Sequence, residues 1–93
     1  MEQIILKVFL SNDNDVCNIQ IPIINNVEDV FKSRVKFENI NAEQNQEMIY
    51  KYKIIEFPTM IIEKNGQEKE RFTGLTQELF LKKALKKILS ERL

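Results

Sequence analysis

Between the apolar run Met60-Ile61-Ile62 and the segment Gln67–Phe72 lies Lys64-Asn65-Gly66-Gln67, and this turn restricts the fold more than any other feature. Asn and Gly accept the positive φ values that both central positions of a type I′ turn demand, and that turn matches the twist of paired strands. An antiparallel hairpin is therefore predicted here. Far upstream, residues 3–10 (QIILKVFL) read as a strand covered on both faces, followed by pure turn chemistry in Ser11-Asn12-Asp13-Asn14-Asp15. Apolar residues then recur at helical spacing: Val16, Ile19, Ile23, Val27 and Val30, with Ile24 and Phe31 beside them. Asn14 is a good N-cap, and Asp15 puts an anion in the first turn, where the helix dipole favours one. Pro22 lies inside this helix and is expected to kink its axis rather than end it.

In residues 34–40, Val35 and Phe37, with Asn39 a weaker third, alternate with Arg34, Lys36 and Glu38, which predicts a strand with one wetter face. Asn41-Ala42-Glu43-Gln44 resembles a capping box opening a short helix that runs to about Tyr52. After Gly74, an amphipathic helix is predicted from Thr76 to Glu91, with Leu79, Phe80, Ala84, Leu85, Ile88 and Leu89 inward. A strand, helix and strand in succession imply a parallel crossover, whereas the Asn-Gly turn imposes an antiparallel pair. The expected fold class is α/β, in the order β-α-β-α-β-β-α. It comprises a four-stranded mixed sheet with helices on both faces, and residues 1–93 form a single domain with no linker or repeat.

Composition narrows function by exclusion. The 93 residues can bury one modest core, and 14 Lys+Arg balance 14 Asp+Glu. A neutral chain lacks the cation surplus that nucleic acids or anionic membranes require, so neither is an expected partner. No apolar run approaches a membrane span, and the N-terminus lacks the basic start and cleavage site of a signal peptide. Histidine is absent, which removes Ser-His-Asp, Cys-His and imidazole–zinc chemistry, and two glycines are too few for a phosphate-cradling loop. No metal or cofactor is expected. The lone Cys17 gives neither an intramolecular disulfide nor a two-thiol cycle, in keeping with a reducing, cytoplasmic setting.

Several features in order carry a resemblance. Tyr52-Lys53-Ile54-Ile55-Glu56-Phe57-Pro58-Thr59 looks like the Tyr-Gly-Ile-x-x-hydrophobic-Pro-Thr segment of the thioredoxin/glutaredoxin-like family, in which the proline is cis. Lys64-Asn65-Gly66 resembles its hairpin, Phe72-Thr73-Gly74 its returning strand and glycine, and the Leu-rich C-terminal helix its last helix. Phe9 ends the first strand just before the loop where the family carries Cys-x-x-Cys. The resemblance covers essentially the whole chain and is nearest to short members that lack the family's first strand and helix. It implies a thioredoxin-like fold.

Two registers place Cys17 within that resemblance. In one, Asn14 stands at the attacking cysteine's position and Cys17 at the resolving one. In the other, a longer loop makes Cys17 the attacker. Spacing favours the first: Asn14 follows Phe9 by five residues, Pro22 follows Cys17 by five, and Pro58 follows Asn14 by 44, as in the family. In that register the family's assisting buried acid is Val8 and its usual tryptophan is Asp13. Chemistry agrees, since Asp13 and Asp15 have the wrong sign to stabilise a thiolate, and Cys17 reads more simply as a buried apolar residue. The resemblance then implies a domain that has lost dithiol redox activity and binds a protein or extended peptide segment through a groove formed by Asn14, Asp15, Phe57, Pro58, Thr73 and Gly74. In the family, the backbone of the residue before the proline, here Phe57, pairs with the peptide. The alternative is a single-thiol redox protein forming mixed disulfides with glutathione or a partner through Cys17. Lys82, Lys83, Lys86 and Lys87 read as the solvated face of the last helix.

Overall fold

The computed structural model describes residues 2–91. Its elements are β1 (Ile4–Leu10), α1 (Asp15–Phe31), β2 (Lys36–Asn41), a 3-10 turn (Ala42–Gln44), α2 (Gln46–Lys51), β3 (Thr59–Lys64), β4 (Gln67–Thr73) and α3 (Glu78–Ser90). The sheet order is β2-β1-β3-β4. β1 pairs parallel with β2 and antiparallel with β3, which pairs antiparallel with β4. The fold class read from the sequence is the one observed. Asn65 and Gly66 have φ of 53° and 82°, the double positive φ of a type I′ turn.

Strand alternation divides the core. Leu6, Val8, Met60 and Ile62 point to α1 and α3, where they meet Ile24, Val27, Phe31, Leu81 and Leu85. Phe9 and Ile61 point the other way and pack with Ile40, Ile54, Met48, Ile49 and Phe57 around α2. Each fully buried Ile, Leu or Phe contributes about 1.5–3 kcal/mol through burial, so the two clusters hold the sheet from both sides. Among the described residues no helix is long and apolar enough to cross a membrane.

Both long helices are rotated from the expected orientation. The buried stripe of α1 is Cys17, Gln20, Ile24, Val27 and Phe31, while Val16, Ile19 and Val30 are exposed. Gln20 can lie inside because its amide is matched at both ends: Nε2 donates to the Thr76 carbonyl (2.9 Å) and Oε1 accepts from the Thr76 N–H (2.8 Å). That staple also sets α3, whose buried residues are Leu81, Leu85 and Ile88. Ala84 and Leu89 are half-buried, and Leu79 and Phe80 face solvent. Helix α1 continues through Pro22, which lies on its exposed side. Asn41 does cap, its Oδ1 accepting from the Gln44 N–H (3.1 Å), but it opens only the 3-10 turn, and α2 follows as a separate helix. Asn39, the weaker third inward residue of β2, is exposed, and Ile40 is buried in its place against the α2 face.

Candidate functional site

The site is assembled at one end of the sheet. Phe9 pairs with both Ile40 and Thr59, and Thr59 pairs with Thr73. The loop leaving β1, the segment entering β3 and the chain leaving β4 therefore emerge side by side. Asn14 closes the β1 loop as the N-cap of α1, its Oδ1 accepting from the Cys17 N–H (2.9 Å). Asp15 is exposed in the first turn. Cys17 is the third helical residue and is 1% exposed.

Across from this loop, the Phe57–Pro58 peptide is cis, Pro58 is buried and Phe57 half-buried. The Pro58 carbonyl accepts from the Gly74 N–H (2.7 Å), and Thr59 Oγ1 donates to the Glu56 carbonyl (2.7 Å). The proline turn is thereby tied to the end of β4 and held on itself. Gly74 has φ of 87°, and a Cβ there would sit 2.9 Å from Glu56 Oε2, so only glycine fits without displacing that carboxylate. Phe57 is different: among the described residues neither its N–H nor its C=O has a hydrogen-bond partner. Phe57, Pro58, Thr73 and Gly74 are thus brought together, and Asn14 and Asp15 lie where the neighbouring loop enters α1.

Beside Phe57 lies an apolar groove of about 700 Å³, lined by Ile49, Tyr50, Ile54, Ile55 and Phe57 with Glu43 at its rim. Ile55 is 91% exposed and Tyr50 88%. The groove's wall is fastened to the β1 loop: Glu43 accepts from the Ser11 hydroxyl (2.8 Å) and the Asn12 N–H (3.1 Å), and Asn41 Nδ2 donates to Asn12 Oδ1 (2.7 Å). The Ser11 bond, then the Asn12 bond, hold the Glu43 carboxyl below its ordinary value of 4.5. Sequence reasoning missed this groove and its Ser11–Asn12–Glu43–Asn41 latch. Only the capping pattern at Asn41 hinted at the latch, because its other bonds join segments about thirty residues apart.

Superposition defines the class. The domain overlays thioredoxin-2, a component of malaria parasite protein secretion machinery, with a TM-score of 0.88 at 19% identity, covering 92% of this chain and 84% of the other. Thioredoxin from Trypanosoma brucei brucei gives 0.88 at 21% identity, over 96% and 77%. This is the thioredoxin fold. The family follows from sequence: the Thioredoxin family model matches residues 2–87, and the chain belongs to that family. Thioredoxin of Rickettsia bellii is 36% identical over 62 residues, which are 67% of this chain and 59% of that protein. Chloroplastic thioredoxin Y1 of Arabidopsis thaliana is 34% identical over 58 residues, 62% of this chain and 34% of that protein. The aligned part therefore spans under two thirds of the length of these relatives.

Proposed function

We propose that this domain binds an extended segment of a partner protein beside Phe57–Pro58 and does not catalyse dithiol–disulfide exchange. One observation carries the reading: Phe57, whose backbone N–H and C=O have no partner among the described residues, lines an open apolar groove. An extended peptide needs both parts, main-chain partners for its backbone and a pocket for its side chain. Exchange catalysis needs an accessible thiolate and a second thiol to resolve the mixed disulfide. The 93 residues contain one cysteine, and Cys17 lies behind the Asn14 cap, which also disfavours the single-thiol reading with glutathione. We expect the protein in the reducing cytoplasm, where a lone thiol is stable.

The test is an insulin-reduction assay beside an NMR titration with an extended peptide. The expected result is turnover no greater than that of Cys17→Ser, together with peptide-induced shifts of the Phe57 and Ile55 amides. Turnover that depends on Cys17, or a mixed disulfide in the intact mass after exposure to oxidised glutathione, would favour the single-thiol reading.

A further inference from the structure

The sheet ends in two edge strands, and the chain treats them differently. β4 pairs only with β3, and its register slips between Ile62 and Glu63, where Lys69 is left over as a bulge. Glu68, Lys69, Glu70 and Arg71 also follow one another along it. A bulge and a run of charges are common means of keeping an edge from pairing with another chain. β2 has no bulge: it pairs with β1 without a break from Lys36 to Asn41, and among the described residues no strand lies on its other side. About half of its backbone N–H and C=O groups therefore point away from the sheet. Phe37, beside Leu6 on the α1 and α3 side, is only half-buried, and Asn39 is exposed. The charges of β2 are two, Lys36 and Glu38, of opposite sign and both on the α2 side, 3.2 Å apart.

We infer that β2 pairs antiparallel with β2 of a second copy, about a twofold axis midway between the two Phe37 residues. The inference is independent of the peptide-groove reading. If each helical layer is to continue across the axis, even-numbered positions must stand opposite even-numbered ones. Centring the pair on Glu38 sets its carboxylate against its own copy, and centring it on Asn39 sets Glu38 against Ile40. Centring it on Phe37 sets Lys36 against Glu38 twice and stacks Phe37 against Phe37 where the core is incompletely covered. The edge is thus complementary to itself in that register. Exposed ion pairs contribute little each, so main-chain hydrogen bonds and the aromatic pair supply the affinity while the charges choose the register. An edge of six residues buries less than the roughly 1,200 Å² of a stable complex, so the dimer is expected only at about 0.1–1 mM.

Sedimentation velocity of the full chain, from about 10 µM to about 1 mM, is expected to pass from monomer towards dimer. Lys36→Glu, at an exposed position, sets like charges opposite each other at both ends of the pair and should weaken association about tenfold or more. Adding Glu38→Lys exchanges the two charges and should restore it. Glu38 also lies 3.6 Å from Lys7, so circular dichroism must show that the double variant is folded. A further variant reads the register without touching that cluster. Phe37→Cys with Cys17→Ser should oxidise to a disulfide-linked dimer, because residues directly opposite in an antiparallel pair have Cα atoms about 4.5–5.5 Å apart. A chain that stays monomeric at about 1 mM, a dimer indifferent to Lys36→Glu, or no cross-link at position 37 would each overturn the inference.

Discussion

Gln20 and Asn14 hold the site's two flanks by the same device, a side-chain amide completing the hydrogen bonding of a backbone. Gln20 satisfies both main-chain groups of Thr76, two residues beyond Gly74. Gln20→Leu keeps comparable bulk but leaves both groups buried without partners, and should destabilise the domain by about 2–3 kcal/mol. The check is a lower urea midpoint with faster exchange of the Thr76 amide. Asn14→Ala should cost about 1 kcal/mol, the usual loss of an N-cap. Asn14→Cys tests the register directly: on oxidation it should form a disulfide with Cys17, seen as blocked alkylation of both thiols in the monomer, and absence of that bond would refute the pairing of these positions. Neither role shows in composition. A glutamine in a helix reads as polar surface, and its partner lies 56 residues away.

At the scale of elements, local chemistry was legible and helix rotation was not. Asn65-Gly66 specifies its turn whatever surrounds it, and the alternation in β1 fixes two faces. In α1, however, apolar residues occupy two adjoining stripes, and the one with Val16, Ile19 and Val30 is exposed although it is apolar throughout, while the buried one includes Gln20. The buried stripe is the one whose Gln20 is matched by Thr76 and whose Ile24, Val27 and Phe31 join the core. The β1–β3 pair holds a further polar cluster on the α2 face: Lys7 Nζ lies 3.2 Å from Glu63 Oε1 and 3.6 Å from Glu38 Oε1, and Tyr52 donates to Glu63 Oε2 (2.9 Å). Lys7→Met strands the nearly buried Glu63 carboxylate and should destabilise by about 3 kcal/mol in chemical denaturation. Lys7→Met with Glu63→Leu should recover most of that loss, because the pair's desolvation is removed along with its attraction.

Across the whole molecule, titration should produce a stability plateau with two distinct edges. Burial alone would lower the Lys7 pKa, but hydrogen bonds to Tyr52 and Glu63 and the Glu63 charge together hold it above 10.5. Its contribution is therefore complete below that value and is lost as pH rises through the folded-state pKa. Glu68 is held below 4.5 by Arg71, and Glu78 by Lys82 and Asn26, so their contributions are present above that value and fade as pH falls. Thermal midpoints measured across pH should lose part of the alkaline edge in Lys7→Met and part of the acid edge in Glu68→Gln. The fold and the residues joined at the sheet end were readable because turn, cap and proline signals are local. The groove was not, since Ile49, Ile54 and Ile55 read as ordinary helix and loop until β3 sets Phe57 beside them.

The hairpin turn has a chemical lifetime. Asn65 is followed by a glycine too small to shield its side-chain amide, in an exposed turn, which is the setting for spontaneous deamidation. The Gly66 nitrogen attacks Asn65 Cγ and expels ammonia, and water then opens the cyclic imide to aspartate or isoaspartate. Isoaspartate routes the main chain through an extra methylene at the centre of the turn, and either product adds a negative charge. The bond from the Gln3 N–H to Asn65 Oδ1 (2.9 Å) restrains that amide and ties the turn to the start of β1. Aged preparations should therefore separate into more acidic species on ion exchange, faster when the domain is unfolded, so that the rate of ageing reports how often the hairpin opens.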